Sequence, residues 1–291
     1  MAESQPQALS TILVRELPAW RVGKIGQASA GFASAVERRS EQVVVEAAVA
    51  LTVNGKTLLR FSCLPARLDD LALGFLVDEG LIERPGQVRA LEVRPDEVRV
   101  DADIDFEKLV NFFESVTMVS GCGGGGTTGG PGTVAPLAST ARFSPEDCLA
   151  MMRELQRASA LFSATGGVHL AALSRGDGLL DVAEDIGRHN AVDKVIGRAL
   201  RQAGESPDRP SLEELMLLTT GRLSSEIAAK AARVGLPVVV SRSAPTSRAV
   251  ELAEGSDLCL VGFARGRRLN VYSAPWRLGI SEDGARPRRG E

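Results

Sequence analysis

Cysteine and histidine are scarce in this chain: of 291 residues, four are cysteine and two are histidine. The cysteines, Cys63, Cys122, Cys148 and Cys259, stand far apart and form no CxxC, which argues against a disulfide framework and a zinc knuckle alike. Long apolar runs are missing too. The longest, residues 43–53, is broken by Glu46 and Thr52, so no segment is built to span a bilayer. The first residues show no basic stretch leading into an apolar run, and the expected location is the cytoplasm. Neither sign of charge dominates. With 34 basic and 37 acidic residues the net charge is −3, which gives no global field for a polyanion and does not suggest nucleic-acid binding.

Glycine, by contrast, is concentrated in one place. Eight of the twelve residues from Gly121 to Gly132 are glycine, and Cys122 sits among them. Glycine is favoured where the chain takes positive φ or where something must approach the backbone closely. Two readings follow: a linker that happens to carry a cysteine, or a loop that presents a thiol. A second local concentration is Arg265-Gly266-Arg267-Arg268, either a solvated turn or a cradle for phosphate, which arginine holds in a two-pronged contact.

Periodicity divides the chain. Residues 1–104 read as a β-rich unit with one helix, containing a hairpin that turns at Asn54-Gly55, a helix over 69–77 ended by Gly80, and two strands over 88–93 and 98–100. Residues 105–143 carry a short amphipathic helix and the glycine-rich cysteine loop. Residues 144–282 open on a capped helix start at Ser144-Pro145-Glu146-Asp147. From Glu214 this segment alternates strand and helix, which predicts a mostly parallel sheet covered by helices, an α/β domain. Cys148 and Cys259 fall in apolar periodic segments and are assigned to the core. Residues 283–291, rich in Arg, Gly and Pro, read as a disordered tail.

Both histidines stand in unusual surroundings. His169 follows a glycine pair into a strand. His189 lies in EDIGRHNAVDK, residues 184–194, where seven of eleven side chains are polar or charged. Such density is costly to bury unless the groups bond one another or a ligand. It is either a self-satisfied structural network or a site wall in which Arg188 and Lys194 meet anionic groups while Asp185 and His189 orient them.

These segments carry a resemblance. LALGFLVDEG (71–80), TGGVHLA (165–171), EDIGRHNAVDK (184–194), and SRSAPT (241–246) with VGFAR (261–265) resemble the motifs of the formate dehydrogenase accessory sulfurtransferase family, FdhD. The resemblance implies a cytidine-deaminase-like three-layer α/β domain and a homodimer. It implies a sulfurtransferase that takes persulfide sulfur from a cysteine desulfurase and gives it to the molybdenum cofactor. That cofactor, in its bis(molybdopterin guanine dinucleotide) form, is then inserted into the formate dehydrogenase apoenzyme. Cys122 matches the family's persulfide cysteine. Phe263, Ala264, Arg265, Gly266, Arg267 and Arg268 match its cofactor site, to which the polar wall adds His189, Arg188 and Lys194. Phe263 packs either on a ligand ring or in the core. No nucleic acid, membrane or metal is implied.

The match is broken at one position. The family's loop reads CxxC, whereas Gly125 stands where the second cysteine would be. The runner-up reading is therefore a cofactor-binding chaperone with altered or no sulfur transfer. Zinc-dependent deamination is disfavoured, because neither histidine begins an HxE and no CxxC exists.

Overall fold

Two sheets carry the fold in a computed structural model that describes residues 13–24, 34–117, 127–128, 135–203 and 210–281. The chain opens as an antiparallel ribbon of β1 (Val14–Lys24) and β2 (Ser34–Val44), in register from Val14 opposite Val44 to Lys24 opposite Ser34. The hairpin expected at Asn54-Gly55 joins β3 (Ala47–Val53) to β4 (Lys56–Cys63). Both turn residues have positive φ, 48° and 78°, the backbone that matches the twist of paired strands. Helix α1 (Leu68–Asp78) follows, ended by Gly80 at φ 71°. Strands β5 (Val88–Val93) and β6 (Glu97–Ala102) complete a sheet in the order β4-β3-β6-β5, with β3 and β6 parallel. Its core is closed by Leu71, Phe75 and Leu76 of α1 and by Phe112 of α2 (Phe106–Ser115), whose ring meets Phe75 edge-on at 6.0 Å.

Strands β7 (Val116–Thr117) and β8 (Thr127–Thr128) pair as a two-rung ladder. Residues 118–126 lie outside the described residues, and with them Cys122, as does the tail expected at 283–291.

The second half contains α3 (Pro145–Arg157), α4 (Ala160–Thr165), β9 (His169–Ser174), β10 (Leu179–Asp185) and α5 (Arg188–Ala203). It continues with β11 (Met216–Thr219), α6 (Ser225–Arg233), β12 (Val238–Ser241), α7 (Ser247–Gly255), β13 (Cys259–Arg265) and β14 (Arg268–Val271). The Ser144 start is capped as expected: its hydroxyl accepts from the Asp147 N–H, and the Asp147 carboxylate accepts from the Ser144 N–H. The sheet runs β10-β9-β11-β12-β13-β14. The strands expected from Glu214 onward, β11, β12 and β13, are parallel to one another as expected, whereas β9, β10 and β14 make the whole sheet mixed. Only β11 with β12 and β12 with β13 are parallel; the flanking pairs are antiparallel. Helices α6 and α7 carry the chain back for parallel pairing, whereas the tight turns after β9 and β13 permit only a hairpin.

Strand side chains alternate between two helical layers. Leu217, Val239 and Leu260 face α5, α6 and α7, while Leu218, Val240 and Val261 face α3 together with Cys148 and Cys259, both fully buried as expected. The two sheets meet where α1 crosses α5 at glycine on both helices. A Cβ at Gly74 would stand 1.9 Å from the Asp193 carbonyl oxygen, and one at Gly197 would stand 2.0 Å from that of Asp70. Next to the crossing, Lys230 of α6 bonds Asp193 at 2.8 Å and lies 3.6 Å from both Asp78 and Glu79. Burial raises the Asp78 carboxyl well above the ordinary carboxylate range.

Candidate functional site

Because β11, β12 and β13 are parallel, their carboxyl ends share one edge, the usual ligand position in α/β sheets. Helices α5, α6 and α7 all begin there, each placing its first turn of N–H groups and a partial positive charge at the same face. The loops are stitched together. The Ser241 hydroxyl donates to the Gly221 carbonyl at 2.5 Å, and the Ser243 hydroxyl to that of Thr220 at 3.0 Å. The Phe263 N–H donates to the Ser243 carbonyl at 3.0 Å.

His169 enters the same edge and lies 3.3 Å from the Thr220 hydroxyl through Nδ1. Burial first, then the charges of Arg188 and His189, hold its pKa below the ordinary imidazole value. His189 Nε2 stands 3.0 Å from the Glu226 carboxylate and 3.4 Å from the Ser224 hydroxyl. That hydrogen bond from His189 lowers the Glu226 pKa. Arg188 is buried to 8% exposure and lies flat on Gly221, where an added Cβ would come 2.7 Å from the Arg188 Cβ.

The EDIGRHNAVDK segment divides between the two readings of it. Arg188 and His189 reach the carboxyl edge. Lys194 does not: its ammonium donates to the Asp185 carboxylate at 2.6 Å and to the carbonyls of Leu64 at 3.1 Å and Glu184 at 3.3 Å. With 1% exposure and three acceptors, it has no donor left for a ligand. Asp185 is equally occupied, accepting also from the N–H groups of Leu64 and Gly187 and from the Asn190 amide. The result is a structural knot tying the end of β4 to α5.

The arginine cluster is a hairpin turn. Arg265 pairs with Arg268 across Gly266, at φ 63°, and Arg267; all four are exposed, while Ala264 is buried. Phe263 is half-buried, not in the core. It takes φ 53°, a conformation that costs a side-chain-bearing residue energy, in a register shift between Gly262 and Arg265. The Arg265 guanidinium lies 5.2 Å over its ring.

Sequence reasoning missed Thr220, Arg222, Ser224 and Glu226, and gave no site role to Arg242 and Ser243 although SRSAPT carries part of the resemblance. The available signal was position: polar residues directly after two predicted buried strands. Among the described residues, no carboxylate lies within ion-pair distance of Arg222, Arg242, Arg265, Arg267 or Arg268, whereas Arg67 and Arg201 each pair with two. Unneutralised arginines and helix N-termini suit a ligand carrying phosphates. Among the described residues, no group of three or more His, Cys, Asp or Glu is placed to hold a metal ion.

Comparison with known proteins agrees with the pattern. The chain is 36% identical over 251 residues to a sulfur carrier protein FdhD of Shouchella clausii, covering 83% of this chain and 91% of the relative. It is 38% identical over 242 residues to that of Wolinella succinogenes, covering 82% of each. A crystal structure of a protein assigned as a formate dehydrogenase accessory protein, from Desulfotalea psychrophila, matches with TM-score 0.68 at 28% identity, over 90% of this chain and 99% of that one. The sequence model of the FdhD/NarQ family spans residues 44–279, which take in both sheets, the stitched loops and the glycine segment, and this chain belongs to that family.

Proposed function

We propose that this protein is a sulfur carrier and sulfurtransferase. On this reading Cys122 accepts sulfur from a cysteine desulfurase and passes it to the molybdenum cofactor in its bis-guanine-dinucleotide form, the cargo, before insertion into the formate dehydrogenase apoenzyme. The observation that carries the reading is the set of acid-free arginines where three helices begin, which suits the cargo's phosphates. The names of the relatives support the sulfur half. Helices on both faces of a mixed sheet support a cytidine-deaminase-like α/β half. We read the protein as a cytoplasmic homodimer; among the described residues, no helix is long and apolar enough to cross a membrane.

In loading, the Cys122 thiolate attacks the outer sulfur of the donor's persulfide. The donor's S–S bond breaks, its cysteine leaves as a thiolate, and Cys122 holds the new persulfide. Unloading as sulfide takes a second thiol, which attacks the inner sulfur, closes a disulfide and supplies the two electrons. Gly125 offers none, so on this reading that thiol comes from outside the loop. The same glycine favours the second reading, a cofactor chaperone without sulfur transfer.

Intact mass after incubation with a cysteine desulfurase and cysteine tests both. The wild type should gain one sulfur atom, removable by reductant, and Cys122→Ala should gain none. A variant carrying Arg242→Ala and Arg265→Ala should load normally but bind guanosine diphosphate tenfold or more weakly, since hydrogen bonds to charged groups contribute roughly 1.5–3 kcal/mol. Normal nucleotide binding with no sulfur uptake would select the chaperone.

A further inference from the structure

The β1–β2 ribbon plays no part in the site. The family match begins at Val44, the last residue of β2, so nearly all of the ribbon stands outside it. Only its foot is packed: Val14 is buried with Leu64, Leu161 and Val168, and Val44 packs against them. Beyond the foot, cross-strand pairs place Trp20 opposite Arg38 and Val22 opposite Val36 on the face that also carries Pro18. Trp20 is 67% exposed, Val22 65% and Val36 61%, the three most exposed large apolar side chains among the described residues. The other face exposes Leu17 and Val43. On the body, Phe162 of α4, next to Leu161 of the packed foot, is also exposed, at 38%.

A two-stranded ribbon alone in water is marginally stable, so this one needs cover in every copy of the protein. The partner that is always available in equal number is the chain itself. Charge points the same way. The ribbon carries Arg15, Arg21, Lys24, Arg38 and Arg39 against Glu16, Glu37 and Glu41, a net +2, while the whole chain is at −3 and the remainder therefore at −5, so the ribbon suits the body of a second copy.

Area selects the mode. Eleven residues at about 3.4 Å each, on strands about 4.8 Å apart, give one ribbon face roughly 37 by 10 Å, or about 370 Å². Ribbon stacked on ribbon would bury only that much per copy, less than half of the roughly 800 Å² usual in a stable interface. If each copy lays its ribbon across the body of the other, each buries an arm and a landing surface, about 740 Å².

We propose that the β1–β2 ribbon is an exchanged dimerisation arm, seated by Trp20, Val22 and Val36 on a second copy of this chain. The proposal rests on the two-copy assembly of the reading above and not on its sulfur chemistry. Sedimentation of the full chain over a range of concentrations tests it, beside a variant carrying Trp20→Ser, Val22→Ser and Val36→Ser. These side chains are exposed in one copy, so the variant should fold, which its far-ultraviolet circular dichroism checks. The wild type should be a dimer, and the variant should dissociate at concentrations thirtyfold higher or more, the loss typical of a central aromatic anchor. A wild type that stays monomeric overturns the arm and the dimer together. A variant that dimerises like the wild type overturns the arm alone. Either result leaves persulfide loading on Cys122 as a separate measurement of the sulfur reading.

Discussion

Replacing Lys194 with methionine should lower the stability of the protein by about 3–5 kcal/mol, the usual cost of leaving one partner of a buried ion pair uncompensated. The ammonium is held by one carboxylate and two carbonyls at 1% exposure, and Asp185 is fully buried. Methionine keeps the apolar stem and removes the charge, so Asp185 Oδ2 loses its 2.6 Å partner. Denaturant titration reads the loss as a lower midpoint. Guanosine diphosphate affinity of the folded protein should not change, because Lys194 has no donor facing the carboxyl edge. The opposite outcome, unchanged stability with weakened nucleotide binding, would return Lys194 to the ligand wall that its sequence neighbourhood suggests.

The second large effect belongs to the helix crossing. Gly197→Ala sets a methyl carbon 2.0 Å from a backbone oxygen of α1, and backbone cannot rotate aside as a side chain would. Overpacking usually costs about 1–3 kcal/mol, and here the cost should reach or exceed the top of that range, even after the roughly 1 kcal/mol that alanine gains over glycine inside a helix. A loss of about 3 kcal/mol would lower Tm by roughly 6–12 °C in a chain of this size. Gly178→Ala is the control, since nothing lies within 4 Å of its added Cβ. Equal melting temperatures for the two variants would mean that the crossing is looser than its distances say.

Local features were legible in the sequence wherever their cause is local. Asn54-Gly55 makes its turn whatever surrounds it, Ser144 caps α3 through its own neighbour Asp147, and the apolar run of α1 becomes a helix buried at every residue but Asp69. Alternation was enough for the direction of β11, β12 and β13, but not for β14, which returns from β13 after a two-residue turn with no helix between. The ribbon is not among the strands named from the sequence within the β-rich unit, since its eleven-residue register depends on a partner strand that begins ten residues after the first one ends. At the site, Arg188 and His189 stood out through dense polarity. Arg222 sits in ordinary local sequence, Arg242 in a motif with no stated role, and both gain meaning only when two parallel strands end side by side. Lys194 misled for the complementary reason, because the carbonyl of Leu64 that occupies it lies 130 residues away.

The small β7–β8 ladder sets a tether. Thr117 and Thr127 are partners in it, and Cys122 is the midpoint between them, five residues from each. Five residues reach at most about 17 Å when fully extended. The Cα of Cys122 is therefore held by chain length alone within that distance of either end of the ladder. On the proposed sulfur-carrier reading, donor and cargo would both have to come within that reach.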